Sequence, residues 1–402
     1  MNQNFDIIIV GGGAAGFFTA INIVEKNPAI KVAILERGKQ VLEKVRISGG
    51  GRCNVTHACF VPNELVKFYP RGEKELRGPF NQFCSGDTIE WFEKHGVALK
   101  IEDDGRMFPV SNSSQTIIDC FLNATKKLGI SVLTSQSVQS IFKSDDYWKI
   151  ETQSENYVAE KLILATGSNP KIWEMLQNFD HSIVSPVPSL FTFNIKDARI
   201  KDLMGLSAEA NVKINDTKLS ALGPLLITHW GMSGPAILKL SAWGARILNE
   251  KNYQFSVTVN WLKDLNAEEC ETILKATKLE HAKKAVAKKA PFDFPSRLWE
   301  SFVLAANVDG ETKWADLNKN QLLSLTNQLT NAIYQVNGKS TFKEEFVTAG
   351  GIDLKEINFK TMESKLHKNL YFAGEIVNID AITGGFNFQN AWTSGFVLAN
   401  GI

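Results

Sequence analysis

Three glycines near the start of the chain carry the first chemical signal. Gly11, Gly13 and Gly16 follow the β-branched run Ile7-Ile8-Ile9-Val10 in a G-x-G-x-x-G spacing, and a helix-compatible stretch begins near Ala14. A second apolar run, Val32 to Leu35, ends at Glu36, about 20 residues beyond the last glycine. Each part has a task in holding a dinucleotide. Gly11 permits a tight strand-to-helix turn, Gly13 lets the backbone approach a pyrophosphate, and Gly16 lets the helix lie close on the strands. The helix start, with Ala14 and Ala15, offers unpaired N–H groups and a partial positive charge. Glu36, followed by Arg37, can accept hydrogen bonds from a ribose diol.

Further candidates lie along the chain. Ser48-Gly49-Gly50-Gly51-Arg52-Cys53-Asn54 contains three adjacent glycines, which are costly in a helix or strand but fit backbone laid against a ligand. There Arg52 can meet a phosphate or flavin oxygen, and Asn54 can donate and accept. Ala165-Thr166-Gly167 closes a buried strand in a second tight turn. Near the end, Leu370 to Ala373 leads into Gly374-Glu375, then Asp380, Thr383-Gly384-Gly385 and a helix from Asn390. A return of this kind suits FAD, whose flavin and ribityl ends also need holding, better than NAD alone. Cys53 and Cys59 stand where a disulfide reductase keeps its redox pair, which gives an alternative reading, although the spacing is one residue too long. His229 sits in a Gly-rich turn without a paired carboxylate, so a hydrogen-bonded structural role is expected. No catalytic acid or base is assigned.

The elements that must position these groups read as follows. Helices are expected over Thr88 to His95 and Gln115 to Leu128. Short strands at 131–133, 138–142, 148–152 and 157–160 suggest an antiparallel meander laid on a parallel sheet. Beyond Pro186-Val187-Pro188, alternating segments from Leu190 to Ser256 suggest an inserted β domain. Helices at 266–289 and 319–333 suggest a helical subdomain, the first opened by an Asn266-x-x-Glu269 capping box. Lys275, Lys278, Lys283, Lys284, Lys288 and Lys289 are assigned to a solvated helix face opposite a stripe of Leu279, Ala282 and Val286.

The 402 residues are 44% hydrophobic and 22% charged, with a net charge of +1. This is ordinary globular composition, enough for two or three domains. The near-zero charge leads to the expectation of no nucleic-acid and no membrane partner. The five cysteines and six histidines form no recognisable disulfide framework or metal site, and a cytoplasmic setting without bound metal is expected.

The motifs GGGAAG, SGGGRCN (48–54), GRMFP (105–109), ATG (165–167), THWGMSGPA (228–236), TAGGI (348–352), TMESK (361–365) and LYFAGEIVNIDAITGGFNFQNAWTSG (370–395) together resemble a bacterial family of FAD-dependent oxidoreductases. Its members are described as aminoacetone-oxidase-like or 3-dehydro-bile-acid-reductase-like. The resemblance implies an α/β fold: a discontinuous Rossmann-like FAD domain (1–188 and 336–402), an inserted β-barrel-like domain (189–259) and a small helical subdomain (260–335). It implies non-covalent FAD, with NAD(P)H as a transient donor and a small organic molecule as acceptor. By position, Gly11, Gly13, Ala15 and Gly16 would line the pyrophosphate and Glu36 the ribose. Lys44, Arg52, Cys53 and Asn54 would lie along the flavin. Val138 would meet adenine through its backbone, and Thr166-Gly167 would close over the nucleotide. Gly374, Glu375, Asn387, Gln389 and Asn390 would hold the ribityl and flavin ends. The sequence departs from the family after Gly167, where Ser168-Asn169-Pro170 replaces a further glycine. A flavoprotein binding RNA or a protein through its Lys-rich segment is the remaining alternative.

Overall fold

In the computed structural model, which describes residues 2–340 and 347–402, the described chain divides into two compact units. The first holds 2–187 and 347–402, and the second 188–340.

The first unit is built on a mixed sheet. Strands β1 (Asn2–Val10), β2 (Val32–Leu35), β3 (Ser131–Leu133), β4 (Asn156–Leu164) and β5 (Leu370–Phe372) lie parallel in the order β5-β4-β1-β2-β3. Helix α1 (Ala14–Lys26) links β1 to β2. Ile7, Ile8, Ile9 and Val10 are all buried, because a central parallel strand is covered on both faces and needs a continuous apolar run rather than an alternating one. Strands Val138–Lys143 and Trp148–Thr152 form an antiparallel hairpin that joins the edge of β4, as the meander expectation required. The segments 157–160 and 161–165, read as two strands, are one continuous β4.

The last helix, α2 (Phe386–Gly401), runs against α1. The approach is close: a Cβ on Gly395 would lie 2.7 Å from Thr19 Oγ1. Around this crossing Trp392 packs beside Phe18, at 5.3 Å between ring centroids, and stacks on Phe388 at 5.5 Å. Its indole N–H donates to the Val55 carbonyl at 2.9 Å, so its one polar atom is satisfied in a dry site.

The second unit contains a seven-stranded antiparallel sheet that runs in hydrogen-bonded order from Ala332–Asn337 through Gln254–Asn260, Ser207–Ile214, Ser220–Ile227, Gly231–Ser233 and Thr192–Asn194 to Lys339–Ser340. The two ends of that order are successive strands joined at Gly338 (φ +104°), so the sheet curls back on itself. Because 332–340 belong to this sheet, the return to the first unit does not begin at 336; the insertion extends further. Helices Ala267–Glu280, Ser296–Ala305 and Lys319–Thr330 bury Leu274, Phe302 and Leu325 in the same core as the sheet, rather than forming a separate core. The first of these carries the expected capping box, Asn266 with Glu269. It stops at Glu280 instead of running to Lys289.

Replacing Trp392 with Ala removes a fully buried ring and orphans the Val55 carbonyl. The expected loss is about 3–5 kcal/mol, read as a lower urea midpoint at unchanged slope.

Candidate functional site

The β1–α1 turn brings backbone against backbone. Gly11 has φ +117°, and a Cβ there would sit 2.3 Å from the Ala165 carbonyl oxygen. A Cβ on Gly16 would sit 2.0 Å from the Gly11 carbonyl oxygen. Both positions are therefore closed to any side chain. Gly13 differs: a Cβ there meets nothing within 4 Å. It caps α1 with no side-chain hydrogen bond, and the first turn, Ala14-Ala15-Gly16, holds no acid. The helix thus presents uncapped N–H groups and its positive end to open space, which is the arrangement that binds an anion. Glu36 hangs beside this turn. Its two carboxylate oxygens accept from Gly12 N at 2.8 Å and Gly38 N at 2.7 Å, which fixes the group while leaving lone pairs free. Arg37 is exposed next to it.

Opposite the turn stand the ends of β4 and β5. A Cβ on Gly374 would fall 2.9 Å from Ala15 Cβ, so this glycine too permits a close approach to α1. Glu375 accepts from Lys44 Nζ at 2.6 Å and from Thr348 N at 3.1 Å, and the Gly167 Cβ position lies 3.6 Å from its Oε2. The structure thereby gathers Gly11, Ala15, Gly16, Ala165, Thr166, Gly167, Lys44, Gly374 and Glu375 around one end of the parallel sheet. Thr166 Oγ1, Thr348 Oγ1 and Asn390 Oδ1 are buried without a hydrogen-bond partner. Orphaned polar atoms are rare in finished cores. Together with the open Gly13 position and the uncapped helix, they fit a large polar group with a diphosphate, as FAD is.

Other expected ligands are engaged by the protein itself. Gln389 is fully buried; its Oε1 accepts from Thr56 at 2.6 Å and Thr88 at 2.9 Å, and its Nε2 donates to Thr393. Asn387 clamps Ala381 through both its N–H and its carbonyl, and Asp380 is buried against Arg71. Arg52 pairs with Glu102 at 2.6 Å and lies 3.8 Å over the Phe108 ring, and its hydrogen bond holds the Glu102 carboxyl below the ordinary range. Asn54 accepts from Met107 N at 3.3 Å. Val138 is buried in the hairpin. The stretch Ser48 to Cys53 is a kink: Gly49, Gly50, Gly51 and Cys53 all have positive φ, and Gly50 and Gly51 face open space.

The redox-pair alternative finds little chemistry. All five cysteines are free, Cys53 is buried, and burial pushes its thiol up to about 12. Burial also raises Cys59. Neither sulfur is a thiolate near neutral pH. His229 is exposed on its turn. The group that sequence reading missed is His57. Its ring stacks on Phe386 at 4.6 Å, its Nδ1 is a buried orphan, and burial lowers its pKa, so it is neutral at pH 7. It follows the SGGGRCN motif by three residues, but nothing local marks its contact with a ring at 386. Among the described residues no cluster of three metal-ligating side chains occurs, and no helix is long and apolar enough to cross a membrane.

Comparisons with known proteins bear on these features. The family described as HI0933-like protein Rossmann domain matches residues 5–401. Ribosomal RNA dihydrouridine synthases of Escherichia coli (strain K12) and Haemophilus influenzae are each 27% identical, over 99% of this chain and 98% of theirs. The 3-dehydro-bile acid delta(4,6)-reductase of Clostridium scindens is 23% identical over 97% of each chain. A 3-ketosteroid-delta4-(5alpha)-dehydrogenase from Rhodococcus jostii RHA1 shares the fold, with a TM-score of 0.51, 11% identity and coverage of 99% of this chain and 97% of that one. The expectation of no nucleic-acid partner is corrected by the first two, whose names place RNA as their substrate. Net charge summed over the whole chain was the wrong measure.

Two outcomes follow. Gly13→Val should leave thermal stability within a few degrees of the parent while abolishing FAD retention, whereas Gly16→Val should unfold the chain; a G13V protein with full flavin absorbance contradicts the cradle. The Cys53 pKa is raised on folding, so the stability it adds is complete below pH 9 and lost as pH climbs toward about 12. Urea titrations of C53S should accordingly show a shallower alkaline decline, and C53S/C59S should retain FAD.

Proposed function

The chain belongs to the HI0933-like family of FAD-dependent oxidoreductases, and from that premise we propose that it reduces uridine in ribosomal RNA to dihydrouridine, with NAD(P)H as the electron source. The observation that carries this reading is the near full-length similarity to two ribosomal RNA dihydrouridine synthases. The chemistry is consistent across the relatives. The ring double bond of uridine is conjugated to a carbonyl, and so are double bonds beside a 3-oxo group. Both accept a hydride at the carbon far from the carbonyl and a proton at the nearer one.

FAD, when bound, supplies the hydride. The chain's own groups supply position. The N-terminus of α1 with Gly13, Ala14 and Ala15 takes the diphosphate and Glu36 the ribose. Thr166, Thr348 and Asn390 have unused hydrogen-bonding atoms for the rest of the cofactor. Lys44 and Glu375 pair at 2.6 Å, with Gly167 beside the Glu375 carboxylate. There is no second complete G-x-G-x-x-G, so NAD(P)H would dock transiently. A second reading, favoured by the bile-acid relative, is a small enone as acceptor.

Both readings are tested on one sample. The purified protein should show flavin bands that bleach with NADH or NADPH in the absence of oxygen. Unmodified ribosomal RNA should then restore the bands, and one uridine should gain two hydrogens by mass spectrometry. Restoration by a 3-oxo-Δ4 steroid alone, with unchanged RNA, selects the enone reading.

A further inference from the structure

Helix Ala267–Glu280 buries Cys270, Leu274 and Thr277; of the expected stripe, Leu279 is 83% exposed, Ala282 is half-buried and Val286, beyond the helix, is buried. The segment after it, His281-Ala282-Lys283-Lys284-Ala285-Val286-Ala287-Lys288-Lys289, contains no acid. Apart from the single 3-10 turn Val286–Lys288, it is pinned backbone rather than helix. Ala285 bridges to Lys313, with Val286 N donating to Thr312 O at 2.9 Å and Trp314 N to Lys284 O at 3.0 Å. From beneath, the buried indoles of Trp299 and Trp314 donate to the carbonyls of Val286 (2.8 Å) and Lys289 (3.2 Å). The strip is thus held rigid from the core side, and its lysines project away from that core.

The charges around it are unevenly matched. Lys275 pairs with Glu271, Lys288 with Glu300, and Lys278 binds the Leu317 carbonyl. Glu280 lies against His281, and Glu311 acts on Lys288. Among the described residues no carboxylate lies within ion-pair distance of Lys283, Lys284, Lys289 or Lys313. Lys283, Lys284 and Lys289 of the strip and Lys313 on the segment bridged to it are therefore left without a counter-charge, which a polyanion can supply.

We propose that Lys283, Lys284, Lys289 and Lys313 form a contact for the phosphate backbone of RNA. The proposal rests on the RNA reading above and adds to it a location, on the inserted unit. Lysines hold phosphates as point charges without reading bases, and each phosphate neutralised releases condensed counterions, so affinity through this strip depends steeply on salt.

The test uses the full chain with FAD bound, a protein-free ribosomal RNA fragment and binding titrations across salt. The variant K283Q/K284Q/K289Q/K313Q keeps every backbone bond of the strip. A matched variant, K126Q/K127Q/K143Q/K360Q, removes the same charge from the other unit. The strip variant should bind RNA at least about tenfold more weakly near 0.1 M salt, and its log–log salt slope should fall by about 3, while the matched variant changes little. Bleaching by NAD(P)H should be unchanged in both. Parent-like affinity and slope in the strip variant, with the parent binding RNA, overturn the contact and leave the RNA reading standing. A parent that neither binds nor modifies RNA overturns both.

Discussion

The first unit depends on a constraint of packing distance at the β1–α1 turn, where main chain touches main chain. Gly11 lies against Ala165, Gly16 against Gly11, Gly374 against Ala15 and Gly395 against Thr19, each at a separation that a single added carbon would violate. These contacts seat α1 close on β1 and β4 and bring α2 close on α1. The consequence is electrostatic as well as steric. A helix held this deep puts its uncapped N–H groups at the ends of the parallel strands, where a ligand's charge can meet them with little water between. The open Cβ position at Gly13 is the complement: Gly11 and Gly16 are glycine for what already fills the space, and Gly13 for what is to fill it.

The C-terminal return shows how the same region is held by polar bonds. Asp380 is buried and paired with Arg71, and Asn387 grips Ala381 on both sides. Between them the chain turns through Gly384 and Gly385, both with positive φ, into α2. A buried ion pair of this kind adds little net stability, but removing one partner leaves an uncompensated charge, a penalty of about 3–5 kcal/mol. Its effect is to allow one path for the turn. Gln389, satisfied by three threonines from three different segments, anchors the first turn of α2 to the helix Ser85–Lys94 and to Thr56.

What the sequence could reveal follows from how local each signal is. The strand, glycine turn, helix and acidic end between Ile7 and Glu36 are fixed by neighbours a few residues apart, and all are found where periodicity places them. Strand 148–152 and the Asn266 cap are equally local. Asn387, Gln389 and Arg52 belong to motifs that suggest cofactor ligands, and each also bonds within the protein, to Ala381, to Thr56 and Thr88, and to Glu102. Gln389 and Thr56 are 333 residues apart, and no spacing rule reaches that far. The over-long helix at 266–289 fails for a related reason. Helix propensity continues past Glu280, but Ala285 is drawn into a bridge with Lys313, and a tertiary hydrogen bond overrides a weak local preference.

The same distinction between local and global governs charge. A total of +1 describes the field far from the molecule, where all charges merge. A phosphate at the surface feels charges only within about 8–10 Å at physiological salt. Glu300 and Glu311 act on Lys288 of the strip at 281–289, whereas among the described residues Lys283, Lys284 and Lys289 have no carboxylate at ion-pair distance. Whole-chain charge is thus a measure of non-specific attraction, and the local arrangement of charges is what bears on the proposed contact around Ala285.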